Sequence, residues 1–316
     1  MIGKDIGEAK AHLEAGRLVA IPTETVYGLA GNALNPEAVA DIFKTKQRPS
    51  FDPLIVHCDS VEKVKSYVSA FPELAEKLAD HFWPGSLTMI LPRGEMIHDL
   101  VTSGLETVAV RVPNHPLTLS LLEQLDFPVA APSANPFGYV SPTSAQHVDK
   151  NLGHLVPYIL DGGECEVGIE STIIGFPEGV PTIYRKGGIS IEDIEAVIGK
   201  VEVNAHSSSK PSAPGMLDRH YSPGVHMLIG NVAEMLPEYQ GKKVATLTLQ
   251  SAFEGVEKTH QFQLSPKGDL AEAAKNLFRY LRELDVLQPD VILVELVPEK
   301  GLGVAINDRL RRAAAK

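Results

Sequence analysis

Residues 19–29 read Val-Ala-Ile-Pro-Thr-Glu-Thr-Val-Tyr-Gly-Leu, and residues 44–58 read Lys-Thr-Lys-Gln-Arg-Pro-Ser-Phe-Asp-Pro-Leu-Ile-Val-His-Cys. Residues 19–21 and 54–56 are short apolar runs rich in β-branched side chains and bounded by prolines, a pattern that predicts buried strands. Between them, Asn35-Pro36-Glu37 predicts a helix start, with a capping side chain, a proline in the first turn and an acidic residue. The stretch therefore predicts a strand, a helix and a second strand.

Three cations follow this predicted helix, at Lys44, Lys46 and Arg48. The whole chain has a formal net charge of −11, so a local cluster of positive charge stands out. One interpretation is an anion site on a loop, because Pro49 disfavours continuation of the helix. The other is a solvated helix end whose cations complement the helix dipole. The stretch alone leaves both interpretations open.

The composition is typical of a protein with an ordinary hydrophobic core. Its 316 residues, 44% hydrophobic and 22% charged, predict about two domains. No apolar run approaches the ~18 residues of a membrane span, and the first residues lack the apolar centre of a signal peptide. Cys58 and Cys165 fit no metal-binding spacing, which favours reduced thiols and a cytoplasmic location. The acidic balance argues against binding along a nucleic acid backbone.

Residues 107–112 alternate as Thr-Val-Ala-Val-Arg-Val, which predicts a strand with one apolar face. Arg111 lies on the other face of that strand. An arginine inside a buried strand requires an anionic partner. That partner is either a structural carboxylate or a substrate, and both interpretations stay open.

A second unit follows a change of composition at residues 204–215, which are mainly Ser, Pro, Gly and other polar residues and predict a linker. Strands are predicted beyond it at residues 225–229, 244–249 and 291–296, with a clear helical repeat at residues 269–284. This pattern indicates a small parallel α/β unit. We therefore expect a first domain at residues 1–203, a linker at 204–223 and a second domain at 224–316.

The motifs of several common enzymes are absent. The sequence contains no P-loop, no His-Glu-x-x-His and no Gly-x-Ser-x-Gly. Instead, predicted strand ends carry hydroxyls, amides and cations: Thr23, Thr25, Lys46, Arg48, Arg111, Ser133, Asn135, Ser141, Ser171 and Arg185. Taken together, these groups suit the binding of a multiply anionic small molecule and the stabilisation of charge during transfer at phosphorus.

Seven short motifs run in order through the first 200 residues: Pro-Thr-Glu-Thr-Val-Tyr-Gly-Leu at 22–29, Lys-Gln-Arg-Pro at 46–49, Pro-Leu-Ile-Val-His at 53–57, Val-Arg-Val-Pro at 110–113, Ala-Pro-Ser-Ala-Asn at 131–135, Ser-Pro-Thr at 141–143 and Gly-Ile-Glu-Ser-Thr at 168–172. In these motifs the chain resembles the YrdC-domain threonylcarbamoyl-AMP synthases. The linker, His-Tyr-Ser-Pro at 220–223 and Asn-Asp-Arg-Leu at 307–310 resemble the two-domain form of that family.

The resemblance implies a fold and a reaction. The fold is α/β: a twisted, mixed YrdC-like sheet with helices encloses a cavity, and a smaller Rossmann-like parallel α/β domain follows. The reaction makes L-threonylcarbamoyladenylate from L-threonine, bicarbonate and ATP, and it releases pyrophosphate. Mg²⁺ is expected with the ATP phosphates, outside any protein cage, and no organic cofactor is expected.

The resemblance also implies partners for the product. A downstream threonylcarbamoyl transferase complex would use the adenylate to modify an adenosine of tRNA. Because the chain is acidic, we expect its direct binding of tRNA to be weak or absent.

The family pattern also implies site residues. The signature tetrad at the nucleotide corresponds to Lys46, Arg48, Ser133 and Asn135. Further ATP contacts are expected at Asp52, Thr107, Ser141, Arg185 and Tyr221. Threonine contacts are expected at Thr25, His57, Arg111, Ser171 and the backbone of Ala131. In this arrangement Arg111 would bind the carboxylate of threonine, and the linker would fold over the cavity so that Tyr221 meets the nucleotide.

Two positions depart from the family pattern. Asp52 stands where an asparagine is usual and adds a negative charge near the phosphates, where it could also help to position Mg²⁺. Lys186 replaces the usual proline of Arg-Pro-Gly-Gly-Ile-Ser. Neither departure affects the signature tetrad.

Two other functions compete with this interpretation. Carbamoyl or acyl transfer of the hydrogenase-maturation type shares the YrdC fold, but it usually needs acylphosphatase and zinc-finger-like modules, for which this chain has neither the length nor the cysteines. A nucleotide- or RNA-binding module without catalysis is the other alternative. The pI of about 5.5 and the lack of interleaved basic and aromatic residues count against RNA.

Overall fold

The larger of two β-sheets occupies the first 204 residues. The structure, a computed structural model, describes residues 1–204 and 221–315. Eleven strands form this mixed sheet, in the order β1-β8-β2-β3-β7-β4-β6-β5-β9-β10-β11. Their bounds are β1 Ile2–Gly3, β2 Val19–Ile21, β3 Gly28–Asn32, β4 Ile55–His57, β5 Leu87–Pro92, β6 Thr107–Arg111, β7 Val129–Ala130, β8 Tyr158–Leu160, β9 Thr172–Gly175, β10 Thr182–Arg185 and β11 Glu202–Val203.

Helices connect these strands and pack against the sheet. Their bounds are α1 Ile6–Glu14, α2 Pro36–Lys46, α3 Val61–Tyr67, α4 Glu73–Phe82, α5 Asp99–Thr102, α6 Pro116–Glu123, α7 Ala145–Leu152 and α8 Ile191–Ile198. The cap predicted at Asn35 is present, since its side chain accepts hydrogen bonds at the start of α2, and Ser190 caps the start of α8 in the same way. Trp83 is buried in the main core, as an apolar anchor.

The end of α2 corrects the prediction that Lys44, Lys46 and Arg48 lie together on a loop. Lys44 and Lys46 belong to the last turn of the helix, where Lys44 is exposed and Lys46 is buried. Gln47 then adopts a left-handed conformation with φ of 53°, and the amide of Arg48 donates back to the carbonyl of Phe43 at 2.9 Å. This turn directs Lys46 and Arg48 inward, so one cation is solvated and two are buried.

The second unit is a small parallel sheet with the order β12-β15-β13-β14. Its strands are β12 Met227–Ile229, β13 Val244–Thr248, β14 Gln261–Gln263 and β15 Val291–Val294, and its helices are α9 Val232–Met235, α10 Leu270–Leu287 and α11 Leu302–Ala314. The mixed sheet and this parallel unit confirm the predicted α/β fold class. The linker predicted at 204–223 lies outside the described residues except for its first residue and its last three.

The two units share one hydrophobic core. Val26, Val140 and Ile169 of the first unit are buried in the same cluster as the apolar faces of α10 and α11. Gly168 permits this close packing: its φ is +76°, and an added Cβ would lie 2.5 Å from the Cα of Lys275 in α10. The second unit therefore packs directly on the loop that precedes β9. Among the described residues, no helix is both long and apolar enough to span a membrane.

Candidate active site

A cavity lies at one edge of the large sheet, where several strands end together. β4 and β6 are parallel and pair His57 with Arg111, so both side chains reach the same edge. The cavity has a volume of about 50 Å³, and its lining comprises Thr23, Thr25, Val26, Gly28, Arg48, Pro53, Ile55, His57, Arg111, Ala131, Pro132, Ser133, Glu170, Ser171, Arg185 and Tyr221. This volume suits a few water molecules.

Lys46 reaches the loop that follows β7. Its Nζ donates to the carbonyl of Ser133 at 2.5 Å and to the carbonyl of Asn135. Burial, followed by the charge of Arg48, lowers the pKa of Lys46 well below its usual range. The amide nitrogen of Asn135 donates to the carbonyls of Pro136 and Tyr139, while its Oδ1 is buried without a hydrogen-bond partner among the described residues. The cluster thus offers a cation and a free amide oxygen next to the cavity.

Arg48 lines the cavity and is braced by the loop after it. Its Nη2 lies 2.9 Å from Asp52 Oδ2, and its Nε donates to the carbonyl of Asp52 at 3.0 Å. Nη2 also donates to the carbonyl of Pro53 at 2.9 Å. Burial lowers the pKa of Arg48 and the Asp52 carboxylate opposes that effect. The departure from asparagine at position 52 therefore forms a buried ion pair with Arg48.

Arg111 already has a structural carboxylate. Its Nη2 lies 2.5 Å from Glu24 Oε1, Nη1 donates to Thr25 Oγ1 at 2.9 Å, and Nε donates to the carbonyl of Gly85 at 3.1 Å. Glu24 is itself held by Ser86 Oγ and the amide of Asn114. These contacts use three of the five N–H groups of a guanidinium, and two are left for an incoming carboxylate. Arg111 can therefore pair with a structural carboxylate and still bind a substrate, so the two predicted interpretations are compatible with each other.

His57 is a neutral side chain beside Arg111. Burial, followed by the charge of Arg111, lowers its pKa to about 3. Its Nδ1 lies 3.1 Å from the carbonyl of Ile55, so Nδ1 carries the proton and donates. Nε2 is therefore a hydrogen-bond acceptor. A group with this pKa is a poor base but a good acceptor for a substrate amine or hydroxyl.

Ser171 and Arg185 form another part of the cavity lining. Arg185 donates to Ser171 twice, from Nε to the carbonyl at 3.0 Å and from Nη2 to Oγ at 2.9 Å. Ser171 Oγ also lies 2.7 Å from the hydroxyl of Thr88. Burial lowers the pKa of Arg185 to about 10, so the guanidinium stays charged near neutral pH.

Ser141 does not line the cavity itself but is hydrogen-bonded to Glu170, which does. Its hydroxyl donates to Glu170 Oε1 at 2.7 Å, and the other carboxylate oxygen lies 3.1 Å from Arg309 Nη2 of the second unit. Tyr221, at the end of the linker, is buried in the same wall. The second unit therefore contributes a charge directly behind the cavity.

The structure brings most of the predicted site residues together. Nine of them line the cavity: Thr25, Arg48, His57, Arg111, Ala131, Ser133, Ser171, Arg185 and Tyr221. Lys46, Asn135, Asp52 and Ser141 each contact a lining residue or its loop. Thr107 is not among the lining residues; it begins β6, four residues before Arg111, and shares that residue's face of the strand. The ligand assigned to each residue stays a prediction.

Two buried carboxylates were missed by sequence reasoning, namely Glu24 and Glu170. Each lies inside a motif that was recognised, directly before a residue that was assigned a role, Thr25 or Ser171. Each is an acidic residue among apolar and hydroxyl neighbours, and a buried acid needs a partner cation. That signal was available in the sequence, but it did not identify Arg111 and Arg309 as the partners.

Comparison with known proteins identifies the family. Residues 11–187 match the family described as "Telomere recombination", and residues 189–315 match "Threonylcarbamoyl-AMP synthase, C-terminal domain". The threonylcarbamoyl-AMP synthase of Pyrococcus abyssi is 42% identical over 97% of this chain and 93% of its own length. The chain belongs to the threonylcarbamoyl-AMP synthase family. Its relative from Bacillus subtilis is 40% identical over 98% of this chain and 92% of its own length.

Solved structures of the synthase family agree with the whole fold. The crystal structure of P. abyssi Sua5 complexed with L-threonine superposes with a TM-score of 0.92 at 40% identity, covering 99% of this chain and 97% of that one. The nucleotide-bound form of the full-length protein HypF matches less well, with a TM-score of 0.52 at 27% identity. It covers 58% of this chain and 29% of HypF. The two-domain synthase architecture thus accounts for both units of the chain.

Proposed function

We propose that this synthase-family protein makes L-threonylcarbamoyladenylate from L-threonine, bicarbonate and ATP. The observation that carries the proposal is one cavity with two kinds of anion site. Its lining includes Arg48 and Arg185, which we assign to phosphate, and Arg111 with neutral His57, which we assign to threonine. L-Threonine is the ligand named for P. abyssi Sua5, whose fold covers nearly all of this chain.

The proposed reaction has two steps. The unprotonated amine of threonine attacks the carbon of bicarbonate or of the CO₂ derived from it, a C–N bond forms, and water is lost overall. The carbamate oxygen then attacks the α-phosphorus of ATP; a P–O bond forms, the bond to the β-phosphate breaks, and pyrophosphate leaves with that electron pair. The products are threonylcarbamoyladenylate, pyrophosphate and water.

The protein would act by positioning the substrates and stabilising charge. Arg111 would use its two remaining N–H groups for the carboxylate of threonine, while Glu24 fixes the plane of the guanidinium. Neutral His57 would accept from the amine or the hydroxyl. Lys46 and Arg48 would stabilise negative charge that develops on the phosphates, and binding of those phosphates would favour the charged form of Lys46.

Mg²⁺ would enter with the triphosphate of ATP. Among the described residues, no group of three or more His, Cys, Asp or Glu side chains could hold a metal ion. Glu170, the carboxylate of the cavity lining, is engaged by Ser141 and Arg309, and Asp52 by Arg48. These residues suit a metal bound mainly by phosphate oxygens and water, as Mg²⁺ commonly is in nucleotide sites.

The product would be consumed by a separate threonylcarbamoyl transferase that modifies adenosine in tRNA. A mixed anhydride of carbamate and phosphate is reactive, so transfer to an amine is its natural use. With a net charge of −11, this chain would bind tRNA weakly or not at all. A role in tRNA modification would place the protein in the cytoplasm, consistent with two buried free cysteines.

The test is pyrophosphate release by the purified full chain, with each of L-threonine, bicarbonate and MgATP omitted in turn. We expect release only when all three are present. Equal release without threonine would reject the synthase function. Release that requires carbamoyl phosphate in place of bicarbonate would support the hydrogenase-maturation type of chemistry, and ATP binding without any turnover would indicate a nucleotide-binding module.

A further inference from the structure

Arg309 is a fully buried arginine of α11 whose side chain reaches out of the second unit. Its Nε and Nη2 donate to Glu170 Oε2 at 3.2 and 3.1 Å. Its Nη1 donates to the carbonyl of Lys186, the residue after Arg185, and to Asp308 Oδ2 at 3.3 Å. One side chain therefore contacts two segments of the first unit that form the cavity wall.

Glu170 transmits this contact to a predicted nucleotide residue. The carboxylate has one oxygen on Arg309 and the other on the hydroxyl of Ser141, 2.7 Å away. A carboxylate held by a guanidinium at two nitrogens has a defined orientation. The position of the Ser141 hydroxyl is thus set, through Glu170, by a residue more than 160 positions further along the chain.

Tyr221 is held by the same part of the second unit. Its backbone has a φ of +64°, which is uncommon for a residue with a Cβ. Its ring stacks on Phe278 of α10 at 5.3 Å with an interplanar angle of 28°, and the guanidinium of Arg309 lies 5.5 Å from the ring centroid. The next residue, Ser222, donates to the carbonyl of Ala313 in α11 at 3.2 Å. Contacts with α10 and α11 thus fix a tyrosine that lines the cavity.

The location of this ion pair argues against a purely stabilising role. A buried pair loses about as much by desolvation as it gains by attraction, and apolar replacements of such pairs are often neutral. Elsewhere the interface combines apolar packing of Val26, Val140 and Ile169 on α10 and α11 with a second buried arginine. That residue, Arg282 of α10, donates to backbone carbonyls at Val140 and Ser141 and to Asn151, and it does not line the cavity. The charged pair occurs where the interface meets the cavity.

We propose that Arg309 is a positioning residue for the nucleotide, and that the second unit serves the reaction by supplying it. Arg309 orients Glu170, and through it Ser141, and it supports the ring of Tyr221. This proposal rests on the proposed function in one respect: it takes ATP as the ligand that binds beside Ser141 and Tyr221. The threonine side of the cavity, at Arg111 and His57, has no contact with Arg309.

The test compares Arg309→Lys with Arg311→Met. Arg311 lies on the same helix, is half-exposed and pairs with exposed Glu299, so its loss serves as the matched control. We expect Arg309→Lys to raise the KM for ATP by about 10- to 100-fold, because misplaced contacts weaken transition-state and nucleotide binding. Its threonine affinity, measured by calorimetry without nucleotide, should stay within about twofold of the original protein. Arg311→Met should change neither quantity.

A double variant separates positioning from folding. Glu170→Gln combined with Arg309→Met removes both charges of the pair, so its melting temperature should recover relative to Arg309→Met alone. If the pair were merely structural, the KM for ATP would recover with it. Positioning predicts recovered stability with a KM for ATP that stays high.

An unchanged KM for ATP in Arg309→Lys would overturn the proposal. If the original protein shows no threonine-dependent pyrophosphate release, the proposed function fails instead. The affinity of the same variants for ATP, measured by calorimetry, would still test the role of Arg309.

Discussion

Replacing Arg111 by lysine tests the division of the cavity into a threonine side and a nucleotide side. Lysine keeps a positive charge near Glu24 but loses the planar fork that also reaches Thr25 and the carbonyl of Gly85. The ammonium has three donors, and the buried Glu24 carboxylate competes for them. The substitution therefore removes the N–H groups that we assign to the carboxylate of threonine while it limits damage to the fold.

The expected magnitude follows from the contacts that are lost. A hydrogen bond to a charged group contributes about 1.5–3 kcal/mol, which corresponds to a threonine Kd raised by about 10- to 150-fold. Arg111→Ala should cost about 2–4 kcal/mol of threonine binding. It should also destabilise the protein by up to about 3–5 kcal/mol, because it leaves the buried Glu24 carboxylate without its cation. Ser86 and Asn114 still donate to Glu24, so the lower part of that range is expected.

The assay is calorimetric titration of each variant with L-threonine and, separately, with MgATP, alongside thermal unfolding. Arg111→Lys should bind ATP with nearly the original affinity and threonine far more weakly. Combining Arg111→Met with Glu24→Gln, which removes both charges, should restore stability without restoring threonine binding. Loss of ATP binding with threonine binding intact would refute the assignment of Arg111.

Four further predictions follow from the site and the interface. Lys46→Met should lower pyrophosphate release by about 10²- to 10³-fold, since it removes the buried amino group that we assign to the phosphates, while threonine binding measured by calorimetry stays unchanged. The free energy of unfolding should fall as pH drops from 6.5 to about 3, because His57 takes up a proton in the unfolded chain but resists protonation when buried. In denaturant titrations, His57→Gln should reduce this pH dependence by up to about 1.4 kcal/mol per pH unit. The control His154→Gln, at an exposed position, should leave it unchanged. Serine should replace threonine with a kcat/KM lower by about 10- to 200-fold, the effect of one missing methyl group in a fitted pocket. A chain that ends at Asn204 should keep the large sheet but bind a hydrophobic dye and lose most activity, because its contact face for α10 and α11 becomes exposed; turnover at the full-length rate would contradict this.

Local signals in the sequence were sufficient for the elements that carry the site. The cap at Asn35 and the alternation through Arg111 each depend on residues close in the chain, whereas α2 continues to Lys46, beyond the end predicted before Lys44. Strands that lack such signals were missed. β3 consists of Gly28–Asn32, with two glycines and no β-branched residue, and it forms because β2 and β7 pair with it on both sides. β14 and the terminal helix α11 were missed as well.

Long-range pairs were beyond sequence reasoning. Glu24 meets Arg111 across 87 positions, and Glu170 meets Arg309 across 139. Nothing local distinguishes a buried arginine that awaits a substrate from one that already holds a carboxylate. For the same reason the sequence indicated that Arg111 needs an anion but left its identity open, and it indicated no task for the second unit.

The central claim is that carbon from bicarbonate becomes the carbamoyl bridge between threonine and AMP. The most direct measurement supplies ¹³C-labelled bicarbonate with L-threonine and MgATP and determines the mass of the nucleotide product. The account predicts an adenylate that contains threonine and one ¹³C atom, formed in step with pyrophosphate. Pyrophosphate accompanied by an unlabelled adenylate, or by no adenylate with threonine, would contradict it.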